Sequence, residues 1–228
     1  MKILRTQRTM KYKAILFDLD GTLLYTLDDL TDSVNYILKK YGYSERSIND
    51  VRCFVGNGLT RLIELAFGES RDDLAEIARE FKAYYATHSD IKTKPYAGVD
   101  EMLAELSGMG IKMAVVTNKV QSAADILHEK YFKAYMPFSV GDSAERQRKP
   151  SPESVFFALK KLGVSTDECL YVGDSEVDMK TAENAHVDCA LVTWGYRDVE
   201  FLRSFAPAYL LNTPCELISI IKGDGEEP

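Results

Sequence analysis

The chain has 228 residues, a length that suits one large domain or one core with a sizeable insertion. Its 28 lysines and arginines against 35 acids give a net charge of −7, which argues against non-specific binding to nucleic acid or to an anionic membrane. A content of 46% hydrophobic and 28% charged residues is typical of soluble globular proteins and excludes a disordered or collagen-like chain. No apolar run approaches the roughly 18 residues of a membrane-spanning helix.

Two further features bear on location. The cysteines are scattered, with no Cys-x-x-Cys pair, which predicts free thiols in a reducing compartment. Residues 1–13 are basic but lack the apolar stretch of a secretory signal, so we expect a cytoplasmic protein. Residues 1–9 and 223–228 are expected to contribute little to the fold.

The first predicted element is a strand at Ala14–Phe17, an apolar run too short for a helix. It is followed by Asp18 and Asp20, which on an extended chain point to the same side and address one volume beyond the strand. Two neighbouring carboxylates repel each other, and a hard divalent ion such as Mg²⁺, which takes oxygen ligands, relieves that repulsion. Gly21 allows the backbone to turn sharply and to approach a ligand.

The stretch from about residue 27 to residue 92 contains only helical patterns. This insertion predicts a small helical unit above the carboxyl end of the first strand, a position that suits a lid. Its apolar side chains recur at helical spacing in three groups: Leu30, Val34, Ile37, Leu38 and Tyr41; Leu59, Leu62, Ile63, Ala66 and Phe67; Leu74, Ile77, Ala78, Phe81 and Tyr85.

After a return crossing at residues 93–98 and a helix at 99–109, the chain alternates between strand and helix patterns. Such alternation predicts an α/β fold with a mainly parallel sheet and helices on both faces. Each strand ends in small or polar residues, and open α/β sheets bind ligands at those ends. The later strands are expected at Lys112–Thr117, Cys169–Gly173 and Cys189–Thr193.

Four segments together identify a known family. The sequence from Phe17 to Leu24, FDLDGTLL, resembles the first motif, DxDGT, of the haloacid dehalogenase-like phosphatases. The later motifs of that superfamily are matched in order by Thr117-Asn118-Lys119, by Lys149 in RKPSP, and by GDSEVD at residues 173–178. Each segment alone is also typical of a turn, a helix cap or a solvated charge. The resemblance implies a Rossmann-like core of residues 10–26 and 93–228, with a helical cap domain of residues 27–92.

The resemblance also implies catalytic and phosphate-binding roles. Asp18 is expected to attack phosphorus and form an aspartyl-phosphate. Asp20 is expected to protonate the departing alkoxide and then to deprotonate the attacking water. Lys149 would neutralise Asp18 and a phosphoryl oxygen, while Thr117 and the amide of Asn118 would bind phosphate at a helix N-terminus.

A magnesium site is the third implication of the resemblance. The ligands are expected to be the Asp18 and Asp174 carboxylates and the main-chain carbonyl of Asp20. Asp178 would support this metal shell from outside. Gly21 is expected beside the bound phosphate.

The substrate is expected to be a small phosphorylated metabolite, because a phosphoprotein would not fit beneath a cap. Finer resemblance points to the phosphoglycolate phosphatase group, through Val55–Leu59, Thr117–Lys119 and Thr193–Arg197. A carboxylate on the substrate would be met by Arg52 or Arg61 of the cap.

One position departs from the family pattern. Tyr25 stands where relatives carry an acid, close to the predicted hinge into the cap, and it is expected to narrow the pocket.

Three alternatives remain open from sequence. A pyrophosphatase or a sugar phosphomutase of the same superfamily would share the core, although residues 26–35 lack the histidine typical of the mutases. A non-catalytic phosphate-binding relative need not retain Asp18, Asp20, Lys149 and Asp174 together. In each case we expect a monomer or homodimer with no nucleic-acid or membrane partner.

Overall fold

The computed structural model describes residues 10–69 and 71–223, so the expectations for residues 1–9 and 224–228 lie outside the described part of the chain. The strands are β1 (Ala14–Phe17), β2 (Leu24–Tyr25), β3 (Lys94–Pro95), β4 (Lys112–Val120), β5 (Ser139–Asp142), β6 (Cys169–Gly173), β7 (Asp188–Val192) and β8 (Tyr209–Leu211). The helices are α1 (Leu27–Lys40), α2 (Ile48–Phe54), α3 (Leu59–Phe67), α4 (Leu74–His88), α5 (Val99–Gly108), α6 (Gln121–Tyr131), α7 (Glu153–Leu162), α8 (Glu176–Ala185), α9 (Val199–Arg203) and α10 (Pro214–Lys222).

A six-stranded parallel sheet in the order β5-β4-β1-β6-β7-β8 forms the centre of the fold. Strand β1 is paired on both sides, since Ala14 is in register with Lys112 of β4 and with Cys169 of β6. The strand order reverses at β1, because the chain builds one half of the sheet through β4 and the other through β6. Such a switch point opens a crevice at the carboxyl ends of the strands.

Alternate side chains of β1 enter two hydrophobic clusters on opposite faces of the sheet. Ile15 and Phe17 pack in a cluster that includes apolar residues of α5 and α10. Ala14 and Leu16 pack in a second cluster that includes residues of α7 and α8. All four side chains are fully buried, which explains why the strand is apolar without alternation. The predicted α/β class with helices on both faces is confirmed.

Helices α1 to α4 lie between β2 and β3 and pack around a third cluster, which also takes in Ala123 and Tyr196. The chain enters these helices through β2 and leaves them through β3, and these two short strands pair in antiparallel fashion, with Leu24 opposite Pro95. At the second crossing, the buried carboxylate of Asp29 accepts hydrogen bonds from the backbone N–H groups of residues 91, 92 and 93 at 2.9–3.0 Å. The division into a core and a cap domain at residues 27 and 92 stays a prediction.

The sequence missed several elements for identifiable reasons. Helix α2 buries only Val51, so it has no apolar stripe. Strand β5 has four residues and β8 three, which is too short for a periodic signal. Strand β4 extends to Val120, past the predicted end at Thr117. Within residues 10–69 and 71–223, none of the helices combines the length and apolar character needed to cross a membrane.

Candidate active site

A cavity opens where the carboxyl ends of β1, β4 and β6 face the inserted helices. Its volume is about 90 Å³, which has room for a small molecule. Most of the predicted site residues line it: Asp18, Asp20, Thr117, Asn118, Lys149 and Asp174. Gly21 and Asp178 are not part of the lining, although both contact residues that are.

The loop after β1 brings Asp18 and Asp174 together. The carbonyl of Leu19 accepts hydrogen bonds from the next turn of backbone, and Gly21 has a φ of +88°, in the region that favours glycine. A Cβ on Gly21 would lie 2.3 Å from Oδ2 of Asp174, and one on Gly195 would lie 2.3 Å from its Cβ. Glycine at both positions therefore permits the close approach of the Asp174 carboxylate to the β1 loop.

We use the name acid cluster for Asp18, Asp174, Asp178 and Lys149. One carboxylate oxygen from each of the three aspartates lies within 4.8 Å of the other two, and all three residues are buried. The ammonium of Lys149 donates to Oδ1 of Asp18 and to Oδ1 of Asp178, both at 2.7 Å. It also donates to the hydroxyl of Tyr171 at 3.0 Å. Asp18, Lys149 and Asp174 therefore lie together in one pocket.

Burial dominates the electrostatics of the acid cluster. It raises the pKa of Asp18 to about 7, in spite of the opposing influence of the Lys149 ammonium. It also raises the pKa of Asp174 well above its ordinary value, with further contributions from the negative charges of Asp178 and Asp18. Burial alone would lower the pKa of Lys149, but the Asp178 and Asp18 carboxylates outweigh it and raise that pKa.

Asp178 is fixed at the N-terminus of α8 by a capping box. Its Oδ2 accepts from the backbone N–H of Ser175 at 3.1 Å and from the Ser175 hydroxyl at 2.6 Å, while Ser175 caps the helix in return. The same oxygen accepts from the N–H of Asp174 at 3.2 Å. Both Asp178 oxygens therefore accept hydrogen bonds from within the protein. Through them Asp178 fixes the loop that carries Asp174, and it also fixes the ammonium of Lys149.

The donor set of the acid cluster fits a hard divalent cation. Three carboxylates face a single ammonium, and Lys149 contacts two of them while Asp174 accepts only the backbone N–H of Tyr196, at 2.7 Å, among the described residues. A buried carboxylate without a positive partner is unfavourable, and carboxylate oxygens are the ligands that Mg²⁺ prefers. Asp18 and Asp174 are therefore the side chains suited to hold such an ion.

The strand-end residues of β4 position Lys149. The side-chain amide of Asn118 donates to the carbonyl of Lys149 at 3.0 Å, and its oxygen accepts from the N–H of Lys149 at 2.8 Å. The same amide donates to the carbonyl of Gly56, in the α2–α3 loop, at 3.0 Å. Helix α6 begins at Gln121, shortly after these residues. Thr117 and the backbone of Asn118 thus lie before a helix N-terminus, where anions bind.

A second group, which we call the bridging cluster, consists of Asp20, Thr26, Lys119 and Tyr85. Oδ1 of Asp20 accepts from the ammonium of Lys119 at 2.8 Å and from the hydroxyl of Thr26 at 2.6 Å. The same ammonium donates to the hydroxyl of Tyr85, on α4, at 2.7 Å. Asp20 thus meets the insert through Lys119, and its carboxylate is outside the acid cluster.

Arginine side chains join the α2–α3 region to the core at the cavity edge. Arg197 pairs with Glu176 and donates to the carbonyl of Val55 at 2.9 Å. Arg52 donates to the carbonyl of Tyr196 at 2.6 Å and pairs with Asp198.

The side chains proposed for substrate selection lie elsewhere. Arg52 is engaged with the core, Arg61 pairs with Glu64 at the surface, and neither lines the cavity, so the structure does not place them against a substrate carboxylate. Tyr25 packs edge-on against Tyr96 and donates to Asp28. The expectation that Tyr25 narrows the pocket is wrong, because its ring is held at the crossing between core and insert.

Sequence reasoning missed three contributors to the site. The sequence predicts Lys119 only as part of a motif and Tyr85 only as part of an apolar stripe, whereas the two side chains are bonded to each other in the structure. Tyr171 was read only as part of a strand, yet its hydroxyl contacts Lys149 and donates to the carbonyl of Val116 at 3.0 Å. A signal existed for Lys119, since it follows two polar residues at a strand end, where open sheets bind ligands.

Comparison with known proteins agrees with this geometry. The family model of haloacid dehalogenase-like hydrolases matches residues 15–192, so the chain belongs to that family. The phosphoglycolate phosphatase of Pseudomonas savastanoi pv. phaseolicola is 34% identical over 214 residues, covering 90% of this chain and 78% of the relative. The phosphoglycolate phosphatase of Aquifex aeolicus is 31% identical over 211 residues, covering 92% and 96%.

A solved structure extends the likeness to three dimensions. A protein from Lactobacillus delbrueckii subsp. bulgaricus, provisionally named a phosphoglycolate phosphatase, superimposes with a TM-score of 0.85 at 35% identity. The match covers 93% of this chain and 99% of that one. The likeness therefore extends over most of this chain and is not confined to the motifs.

Proposed function

We propose that the protein is a Mg²⁺-dependent phosphatase that hydrolyses a small phosphomonoester through an aspartyl-phosphate on Asp18. The observation that carries this proposal is the acid cluster: a buried carboxylate of Asp18 bonded at 2.7 Å to Lys149 and within 4.8 Å of the Asp174 carboxylate, at the floor of a cavity. A nucleophile, a neutralising ammonium and a second carboxylate in one pocket are the groups that phosphoryl transfer needs.

The first half-reaction would transfer the phosphoryl group to Asp18. Oδ1 of Asp18 accepts from Lys149, and no described residue donates to Oδ2, so Oδ2 is available to attack phosphorus. As the Oδ2–phosphorus bond forms, the bond between phosphorus and the ester oxygen breaks. Asp20, after taking up a proton on its free oxygen in the complex with the ester, gives that proton to the departing alkoxide. Lys149 lowers the charge repulsion between the Asp18 carboxylate and the phosphate.

The second half-reaction would release orthophosphate. Water attacks the phosphorus of the aspartyl-phosphate, the bond to Asp18 breaks, and Asp20 accepts the proton that the water loses. Asp20 is thereby returned to its starting state. The side chains of the inserted helices that line the cavity keep bulk water away from this step.

Asp18 and Asp174, with the main-chain carbonyl of Asp20, would hold the magnesium ion. When bound, the ion supplies positive charge that favours the approach of an anionic ester to an anionic nucleophile. Asp178 is proposed to support this arrangement through the loop that carries Asp174 rather than as a ligand.

The proposed substrate is a small ester related to phosphoglycolate. Two relatives at 31–34% identity carry the name phosphoglycolate phosphatase, which supports this choice. Apolar side chains from the insert, among them Leu30, Leu59, Leu62 and Phe81, line the side of the cavity away from the aspartates. Such a lining suits a compact leaving group and disfavours an extended polymer. A cytoplasmic site of action is part of the proposal, supported by four free cysteines.

The test is release of inorganic phosphate from a panel of small phosphomonoesters that includes phosphoglycolate. We expect turnover that a metal chelator abolishes, that Mg²⁺ restores, and that Asp18→Asn removes. Turnover that persists in chelator, or an Asp18→Asn protein with full activity, would overturn the proposal.

A further inference from the structure

Lys119 is a buried lysine to which no role has yet been given. Its side chain is 4% exposed and lines the same cavity as Asp18 and Asp20. A buried ammonium is costly unless its charge is balanced and its N–H groups are bonded. The Asp20 carboxylate balances the charge of Lys119 at 2.8 Å, and two of the three N–H groups donate, to Asp20 and to the hydroxyl of Tyr85 at 2.7 Å.

Lys119 and Lys149 differ in the charges that surround them. Lys149 contacts Asp18, the proposed nucleophile, and belongs to a cluster with an excess of negative charge. Lys119 contacts Asp20 and forms with it a pair of balanced charge. A lysine whose charge is already balanced by one carboxylate is poorly placed to act mainly as a phosphate ligand, so its effect is to be sought on Asp20.

The two oxygens of Asp20 are treated differently. Oδ1 accepts from both Lys119 and Thr26, whereas no described residue donates to Oδ2. Anchoring one carboxylate oxygen with two donors from different elements restricts rotation of the carboxyl group. The other oxygen is then left for proton exchange.

Tyr85 restrains Lys119 from the insert. Its hydroxyl accepts from the ammonium, and the ammonium lies 4.8 Å from the centre of its ring. A lysine side chain has many rotamers, and contact with both the hydroxyl and the ring selects among them. Tyr85 is itself buried in the cluster around α1 to α4, so its own position is fixed by packing.

We propose that Lys119, restrained by Tyr85, is a positioning residue that anchors Oδ1 of Asp20 and so presents Oδ2 to the departing oxygen of the ester. This inference rests on the proposed function, in which Asp20 protonates the leaving group. It makes the insert a contributor to leaving-group chemistry, because Tyr85 belongs to α4.

The test compares two esters that differ in their need for a proton. The p-nitrophenolate ion leaves phosphorus without protonation, whereas the alkoxide of ethyl phosphate requires it. We expect Lys119→Met to lower kcat/KM for ethyl phosphate by about 100-fold, the lower end of general acid catalysis, and to lower it for p-nitrophenyl phosphate by less than about 5-fold. Tyr85→Phe should show the same selectivity with a smaller loss.

Two controls accompany these variants. Tyr84→Phe is the matched control for Tyr85→Phe, because Tyr84 stands next to it on α4 and stacks on Tyr36 and His88 outside the cavity lining. It should leave both esters unaffected. Lys119→Arg keeps the positive charge and should recover part of the ethyl phosphate activity. In an Asp20→Asn background, Lys119→Met should cause no further selective loss, since the two changes act on one step.

The outcomes separate this inference from the proposed function. Equal losses on the two esters in Lys119→Met and Tyr85→Phe would overturn the positioning role while leaving the phosphatase intact. An Asp18→Asn protein that still hydrolyses both esters would overturn the proposed function itself. Thermal melting of each variant checks that it folds. If Lys119→Met does not fold, the same test is made on Tyr85→Phe and Lys119→Arg, by comparing their losses of kcat/KM on ethyl phosphate and on p-nitrophenyl phosphate.

Discussion

The acid cluster and the bridging cluster share one cavity but balance their charges differently. In the acid cluster three carboxylates face the single ammonium of Lys149. In the bridging cluster the carboxylate of Asp20 pairs with the ammonium of Lys119. The first is built from the ends of β1 and β6, the loop after β5 and the start of α8, whereas the second joins the core to α4. The difference supports the proposal that a cation completes the acid cluster, whereas the charges of Asp20 and Lys119 in the bridging cluster already balance.

The largest expected effect comes from removing the proposed nucleophile in the acid cluster. Asp18→Asn keeps the size of the side chain but removes its negative charge, so turnover should fall by at least about 10⁴-fold, as for other enzymes that lose a catalytic side chain. Steady-state phosphate release measures it. Asp32→Asn is the control, because that acid pairs with Lys92 at the surface and should leave turnover unchanged.

Removal of the second proposed ligand of the cation should have the next largest effect. Asp174→Asn should lower turnover by at least about 100-fold, more than the loss typical of a group that only supports a ligand, and should raise the Mg²⁺ concentration needed for half-maximal activity. Titration of activity with Mg²⁺ checks both. A normal Mg²⁺ dependence in this variant would show that the acid cluster is not the metal site.

The two clusters should respond with opposite sign when the metal-free protein loses one acid. Asp174→Asn relieves repulsion among buried carboxylates and should raise the free energy of unfolding by about 1–2 kcal/mol. Asp20→Asn leaves the ammonium of Lys119 buried without its counter-charge. This variant should lower the free energy of unfolding by about 1–3 kcal/mol. Denaturant unfolding in the presence of chelator measures both. If both variants changed the free energy of unfolding in the same direction, the contrast between the two clusters would be wrong.

The pH dependence of stability sharpens this contrast. The pKa of Asp18 rises from an ordinary 3.8 to about 7 in the folded protein, and that of Asp174 is raised as well. Above the ordinary value the folded state then binds more protons than the unfolded state, so these groups lower the stability of the metal-free protein as the pH rises from about 4 to about 7. The free energy of unfolding of Asp174→Asn should therefore exceed that of the native chain only slightly near pH 4, and by more towards neutral pH. A difference in unfolding free energy that stays constant across this range would contradict the raised pKa of Asp174.

The smallest effect is expected at the crossing between core and insert. Tyr25→Phe removes a hydroxyl whose partner is Asp28 and leaves both clusters untouched. Stability should change by no more than about 0.5 kcal/mol, and turnover should stay within the error of the assay. A clear change in substrate preference would place Tyr25 closer to the substrate than its packing against Tyr96 indicates.

The sequence predicts the acid cluster far better than the bridging cluster, and the reason is physical. Asp18 and Asp174 directly follow β1 and β6, and parallel strands bring their ends to one edge. Lys149 lies in the loop after β5, and the family motif RKPSP is what predicts it. The contact between Lys119 and Tyr85 depends on how α4 packs over that edge, and residues 34 positions apart in different elements carry no local signal of contact.

The remaining misses also follow from tertiary packing. Tyr85 fits an apolar stripe and is buried, so its pattern is indistinguishable from that of a core residue. Its hydroxyl becomes visible only once the ammonium of Lys119 is placed beside it. Arg52 is a similar case, because the sequence predicts that it meets a substrate carboxylate, whereas its side chain donates to the carbonyl of Tyr196 in the core.

The most direct measurement is to trap phosphate on the protein during turnover. Native enzyme and Asp20→Asn are mixed with Mg²⁺ and p-nitrophenyl phosphate, whose leaving group needs no proton from Asp20. The mixtures are quenched in acid within the first turnover and mapped by peptide mass spectrometry. We predict one added phosphoryl group on the peptide that contains Asp18, with more of it in Asp20→Asn because loss of the base slows its hydrolysis. Release of phosphate by the native enzyme with no phosphorylated Asp18 in either protein would contradict the account.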